Sequence, residues 1–493
     1  MSRRLKIYDT TLRDGHQCLW ATRMPTSMML PVIEAFDRAG YGAIELMGNV
    51  HFDACVRYLR DDPFERMREV KKRLVNTPMQ GFIRSACVLG FDIKPADINR
   101  LWVEVLLRNG TDRMLAFDGL HDFDNTAPYL KHAKELGAYT VHWLIFSDSP
   151  VHTDEMYVAK AHEIIERADV DEIIIQDTSG VLTPERAATL VPALKAAVGD
   201  RPLGLHSHCL VGLPQRTYLE AAKHGIDGLY TCISPVADGN APPSVQTTAR
   251  NLRYAGYELD IDDDAIESIS RHLEAGITLL GKPAGRPQDF DLGQFDHQIP
   301  GGVMSNLIAN LEQAGMADQL LAVLEECGRV RAELGWPIMV TPFSQHVAVQ
   351  AALNVIHGER YGVVIDEVKL YALGYFGKLL APVEPNVLDR IIERGSQAIA
   401  LDPPEPEPGV ARLRERYPDL DDEERMLRYS FPEDVIDDLY AHPGDALPST
   451  MSVPFLHLMD RLRDQNIPNR IAAGSGDIDV ELGFHGAGQK GAA

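Results

Sequence analysis

The sequence predicts an α/β chain: a (β/α)8 TIM barrel followed by a mostly helical C-terminal domain. Three observations carry that reading. Eight short apolar runs alternate with amphipathic stretches between residue 5 and about residue 235. The runs are near-continuously apolar, as strands are when both faces are covered. Nearly every run ends in a polar group, and a barrel of this kind keeps its chemistry at the C-terminal ends of its strands. A doubly wound open sheet is the competing fold, but no GxGxxG follows the first strand.

Taken in order, the strand candidates are Leu5–Tyr8, Ala43–Met47, Met79–Arg84, Arg113–Phe117, Tyr139–Phe146, Glu172–Ile175, Pro202–His206 and Gly228–Ile233. Roughly 25 to 40 residues separate them, room for one helix each. Met28–Ala39 and Pro184–Ala197 are two such helices. The polar strand ends are Arg13, Asp14 and Gln17; Glu45; Arg84; Asp118; Asp148; Gln176 and Asp177; His206 and His208; Asp238 and Asn240. Beyond about residue 260 the pattern turns helical, at Asp264–Leu280, Ala317–Leu334 and Val347–Val355. The chain divides into a barrel (1–299), a helical domain over the barrel mouth (300–445) and a tail (446–493). Residues 402–408, Asp-Pro-Pro-Glu-Pro-Glu-Pro, form a stiff acidic linker. Two acidic helices are expected in 410–442, and a mobile, glycine-rich tail from about 470.

With 493 residues and an apolar fraction of 45%, the chain can bury a large core. A net charge of −24 repels phosphates and argues against nucleic acid as a partner. The six cysteines show no CxxC spacing and read as reduced thiols, so a cytoplasmic location is expected. The N-terminus leads into a strand without an apolar signal core, and no apolar run approaches the roughly 20 residues that span a bilayer.

The site is expected where Tyr8-Asp9-Thr10-Thr11-Leu12-Arg13-Asp14-Gly15-His16-Gln17 meets two distant stretches, Gln176-Asp177-Thr178-Ser179-Gly180 and Leu205-His206-Ser207-His208. Residues two apart on a strand share a face, so His206 and His208 form a ready pair of nitrogen ligands. With Asp14 they make a His2Asp set for a divalent ion; zinc, manganese, cobalt and iron all fit. Such an ion could polarise the carbonyl of a 2-oxo acid and stabilise its enolate. Arg13 supports the same negative charge, and Arg84 can hold a substrate carboxylate in bidentate fashion.

These residues, with a broad match to about residue 440, resemble the carboxyltransferase subunits of biotin-dependent enzymes: pyruvate carboxylase, oxaloacetate decarboxylase alpha chain and methylmalonyl-CoA transcarboxylase. The resemblance runs through Asp9–Gln17, Ala21-Thr22-Arg23-Met24, Phe52-Asp53-Ala54-Cys55, Asp62-Pro63-Phe64-Glu65-Arg66, Ser149-Pro150-Val151-His152-Thr153, Pro300-Gly301-Gly302 with Ser305-Asn306-Leu307, Val340-Thr341-Pro342 and Gly358-Glu359-Arg360-Tyr361. It implies a barrel under a helical funnel, metal ligands at Asp14, His206 and His208, and Arg13, Gln17 and Arg84 around the substrate. It also implies paired barrels, hence a homodimer.

The chain departs from that family pattern. At Gln176 the resemblance implies a lysine that becomes carboxylated and serves as fourth ligand; glutamine offers only a neutral amide oxygen. At Asn240 it implies a threonine that shuttles a proton between biotin and the enolate. Ser85-Ala86-Cys87 and Phe91 replace Gly-Gln-Asn and tyrosine. There is no biotinyl Met-Lys-Met and no ATP-grasp region, so biotin would come from a separate carrier protein or carboxylase subunit. Two alternatives follow. The wider superfamily includes hydroxymethylglutaryl-CoA lyase and the isopropylmalate and homocitrate synthases, with an Arg-Asp-Gly turn and, in the lyase, a Gly-Asn ligand. Arg13-Asp14-Gly15 and Gly239-Asn240 could imitate both, giving biotin-independent lyase, aldolase or Claisen-type chemistry on a 2-oxo acid or acyl thioester. The other alternative is a noncatalytic partner subunit.

Overall fold

A computed structural model describes residues 3–444, 470–475 and 478–483. Eight parallel strands close into a barrel in sequence order: β1 (Lys6–Asp9), β2 (Ile44–Met47), β3 (Met79–Arg84), β4 (Arg113–Phe117), β5 (Tyr139–Ile145), β6 (Glu172–Asp177), β7 (Leu203–Ser207) and β8 (Gly228–Thr231). Each expected strand is present within a few residues of its expected bounds. Registry sets Gln176 of β6 beside His206 of β7, so two of the expected site positions are neighbours across the ladder.

The helices between strands begin where the sequence supplies caps. Thr183 precedes Pro184 and accepts from the Arg186 amide, and Asp62 caps the helix that starts at Pro63 by accepting from the Phe64 and Glu65 amides. The expected helix Met28–Ala39 is broken. Pro31 lacks an amide donor and crowds the preceding turn, so the segment splits into Thr26–Met29, a short 3-10 turn at Leu30–Val32, and Ile33–Arg38.

The helical region serves two places rather than one. The helices Gly301–Gln313, Leu320–Glu333, Phe343–His357, Asp366–Ala372 and Pro385–Arg394 cover the mouth. Their apolar faces, among them Val303, Val323, Val347 and Val368, share one cluster with Phe82, Phe117 and Trp143 from the barrel interior. Arg331 ties the two together, donating to Ser147 Oγ at 2.7 Å and to the Asp148 carbonyl at 2.8 Å.

Residues 410–442, expected as two helices over the mouth, form three: Val410–Arg416, Asp422–Ser430 and Glu433–Ala441. Their Leu413, Met426, Leu427, Ile436 and Leu439 join the core on the outside of the barrel. Arg68 pairs with Glu423 at 2.6 Å and Arg60 with Asp438 at 3.1 Å. The proline-rich linker is what lets the chain cross from the mouth to the barrel flank.

In the tail, Arg470–Ser475 and Ile478–Gly483 form a two-stranded antiparallel ladder; the rest of 446–493 lies outside the described residues. No helix among the described residues is long and apolar enough to cross a membrane.

Candidate active site

The site starts at the end of β1. Residues Thr11–Gly15 wind as one wide turn, capped by Thr10. Gly15 is required there: a Cβ would lie 2.6 Å from the Val236 carbonyl oxygen. The turn directs Asp14 inward. Asp14 Oδ2 sits 2.9 Å from His206 Nε2 and 3.0 Å from His208 Nε2. All three atoms are buried, yet none has a hydrogen bond of acceptable geometry. Buried polar atoms are rarely left unmatched. Three ligand atoms close together and aimed past one another fit a shared cation better than a hydrogen-bonded trio, and these residues form a candidate cation cluster.

The surrounding partners hold this arrangement. His208 Nδ1 lies 2.8 Å from the Asn240 carbonyl, which turns its Nε2 toward Asp14. Arg13 Nη1 contacts Asp14 Oδ1 at 3.0 Å, and its Nε donates to Glu45 at 2.8 Å. Glu45 also accepts from Gln80 Nε2 at 2.8 Å. His51 Nε2 lies 2.9 Å from the Arg13 carbonyl. Burial would raise the Asp14 carboxyl, but Arg13 and His208 outweigh it and hold the group well below the usual range, ionised and able to ligate. Burial lowers His206, leaving a neutral imidazole.

Above the cluster lies a cavity of about 540 Å³. Arg13, Asp14, Gln17, Arg84, Gln176, His208 and Asn240 all line it, so the structure brings the expected site residues together; His206 lies in its floor beside Asp14. The Gln176 and Gln17 amide oxygens are buried without partners among the described residues. Arg84 donates to the Gly90 carbonyl at 2.6 Å and stacks 4.3 Å over the Phe91 ring, while its Nε has no partner. No protein carboxylate pairs with it among the described residues, and burial lowers its pKa.

Other polar strand ends do different work. Asp118 accepts from the Leu120 and Asp122 amides and from Ser85 and Asn125. Asp177 accepts from the Val181 and Leu182 amides and from Ser207. Asp238 accepts from the Ser244 amide. These carboxylates anchor loops. Asp148 is exposed.

Sequence reasoning missed the aromatic wall of Phe82, Phe117 and Trp143, and also Cys18 and Thr341, all of which line the cavity. Phe82 was legible as the residue sharing a face of β3 with Arg84. The Val340-Thr341-Pro342 turn brings a hydroxyl to the cavity from the helical side. The Asn240 side chain packs against Gly301, where a Cβ would meet its Cγ at 2.3 Å.

Residues 4–273 match the family described as HMGL-like, and residues 295–451 match a conserved carboxylase domain. The chain is 38% identical to a pyruvate carboxylase subunit of Methanocaldococcus jannaschii over 402 residues, covering 81% of this chain and 70% of that one. This chain belongs to the carboxyltransferase family of biotin-dependent carboxylases. It is an enzyme chain of that class. The methylmalonyl-CoA carboxyltransferase 5S subunit of Propionibacterium freudenreichii is 32% identical, over 78% of this chain and 76% of its own length. The 2-oxoglutarate carboxylase large subunit of Hydrogenobacter thermophilus is 33% identical over 80% of this chain, which spans 61% of it. The carboxyl transferase domain of Rhizobium etli pyruvate carboxylase, solved with pyruvate and biocytin, shares the fold: TM-score 0.82 at 22% identity, covering 97% of this chain and 84% of that one.

Proposed function

We propose that this chain moves a carboxyl group to or from the carbon beside the carbonyl of a small 2-oxo acid, with biotin delivered by a separate carrier protein. The observation that carries this reading is the convergence of Asp14, His206 and His208 in the floor of a cavity that also holds Arg84, an arginine paired with no protein carboxylate among the described residues. The names of the relatives, two carboxylases of 2-oxo acids and a carboxyltransferase, support the same chemistry.

Asp14, His206 and His208 would hold a divalent ion, with Gln176 as a neutral fourth candidate. Such an ion supplies Lewis acidity toward a carbonyl oxygen. Arg84 binds the substrate carboxylate, its guanidinium already oriented by Gly90 and Phe91. Arg13 braces the cluster, contacting Asp14 Oδ1 through Nη1 at 3.0 Å while Glu45 holds its Nε. Gln17 offers its amide oxygen, without a partner among the described residues, to the substrate or to biotin. Thr341 is placed to pass a proton between the two reactants. The helical cover keeps bulk water from the enolate.

Gln176 favours a second reading, biotin-independent C–C lyase chemistry. A neutral amide in place of a carboxylated lysine leaves one negative charge fewer around the ion, which makes it a stronger Lewis acid. The test is oxaloacetate decarboxylation and pyruvate C3 proton exchange by the purified chain, with and without biotin. Turnover that requires biotin supports carboxyl transfer. Equal turnover without it supports the lyase reading. No turnover with any 2-oxo acid under either condition contradicts both.

A further inference from the structure

Below the cavity, the interior of the barrel is polar where bulky apolar side chains ordinarily fill a barrel of this kind. A row of side chains runs from the starts of β6 and β4 to the end of β1. Glu172 and Arg113 are the first residues of their strands, and Arg113, Gln80 and Glu45 are register partners on β4, β3 and β2. All four are buried. Buried ion pairs often add no stability over apolar side chains of similar volume, so packing alone gives no reason for the row.

The hydrogen bonds of the row fix its centre. Arg113 Nη2 donates to Glu172 at 2.8 Å, and its guanidinium lies 4.4 Å from the Tyr139 ring centre and 5.3 Å from that of Tyr8. Arg113 Nε donates to Gln80 Oε1 at 2.9 Å. Arginine carries donors only, so the Gln80 oxygen must face Arg113 and its Nε2 must face away. That nitrogen donates to Glu45 Oε1 at 2.8 Å, which leaves Glu45 Oε2 to Thr10 Oγ1 and to the Arg13 fork. Arg13 in turn contacts Asp14. Gln80 Nε2 also donates to Tyr230 Oη at 3.2 Å, and the Tyr230 ring stacks on His206 with centroids 5.4 Å apart. One amide at the centre of the barrel therefore reaches the cation cluster by two routes, through Glu45 and Arg13 to Asp14 and through Tyr230 to His206.

We propose that Gln80 is a positioning residue for the cation cluster, and that the Arg113–Glu172 pair at the base of the barrel holds its amide in the one orientation that lets it do so. This inference rests on the reading of Asp14, His206 and His208 as a divalent-ion centre and assigns what braces that centre from beneath. With Arg113 gone, nothing in the row forces the Gln80 oxygen downward, and the amide is free to turn away from Glu45. Glu45 then loses the contact that sets its carboxylate plane, and the Arg13 fork loses its fixed base.

The experiment is titration of the metal-stripped full-length protein with cobalt(II), followed by the visible absorption of the bound ion, beside urea melts of the same samples. Gln80→Met keeps the side-chain length and removes its hydrogen bonds; it should weaken cobalt binding about tenfold and shift the visible band, which reads ligand geometry. Arg113→Met combined with Glu172→Met removes the base pair without stranding a charge. It should weaken cobalt binding at least about threefold with no fall in the urea midpoint. Should Gln80→Met fail to fold, the double variant reads the same link. A row that only fills the barrel would move the midpoint and leave the affinity alone. A loss below about threefold in either folded variant overturns the proposal and leaves the metal centre standing. No cobalt bound by the wild type overturns both.

Discussion

Asp14 on the β1 side of the mouth and Asp118, Asp177 and Asp238 around the rest of it are the same residue type at the same level of the barrel. Their surroundings separate them. Asp118 and Asp177 accept backbone amides from the loops that follow their strands, and burial raises both. Asp14 takes Arg13 on one oxygen and leaves the other facing two imidazoles. A carboxylate saturated by amides is loop architecture. One with an oxygen left over, held ionised by a neighbouring guanidinium, is free to do chemistry.

The contrast breaks most sharply at Asp14 itself. Asp14→Asn keeps the shape but removes the charge, and we expect loss of bound divalent ion and a fall in kcat of at least about a hundredfold, the fold remaining intact by circular dichroism. Truncating its support should come next. Glu45→Ala strands the buried Arg13 guanidinium, and breaking a buried pair costs about 3–5 kcal/mol, read as a lower denaturation midpoint. Asp177→Ala should show the opposite profile to Asp14→Asn. Two amides and the Ser207 hydroxyl lose their acceptor, costing about 1–3 kcal/mol of stability, while metal content is retained.

A pH-dependent effect concerns a buried carboxyl that precedes the site. Burial pushes Asp9 up to about 8, with Thr11 partly offsetting it. The fold therefore keeps a proton that the unfolded chain releases near pH ~4. Between those values stability falls as pH rises, by at most about 1.4 kcal/mol per pH unit, and the trend stops above the folded value. Asp9→Asn should flatten that slope in urea melts compared at pH 5 and pH 7.5.

The barrel was legible because its strands are near-continuous apolar runs, Glu172–Ile175 being the plainest, and because caps such as Thr183-Pro184 mark where helices begin. Pro31 was equally visible but was overridden by the apolar spacing around it. The cluster of Asp14, His206 and His208 was readable because strand alternation pairs the histidines and the barrel brings strand ends together. Three things were not readable. Which aspartates would be consumed by loop amides depends on loop conformation, as Asp177 and Val181 show. The rest of the aromatic wall looks like ordinary core until Phe117 and Trp143 are seen to face a cavity. Thr341 reaches the cavity from more than a hundred residues beyond the last histidine of the cluster, through a helical region that strand patterns cannot orient.

The most direct measurement is metal content of the purified chain beside Asp14→Asn, by elemental analysis after exhaustive dialysis and reconstitution with zinc, manganese or cobalt. We expect about one ion per wild-type chain and none above background in the variant. Equal content in the two proteins, or none in either after reconstitution, would contradict the assignment of Asp14, His206 and His208 as a metal centre.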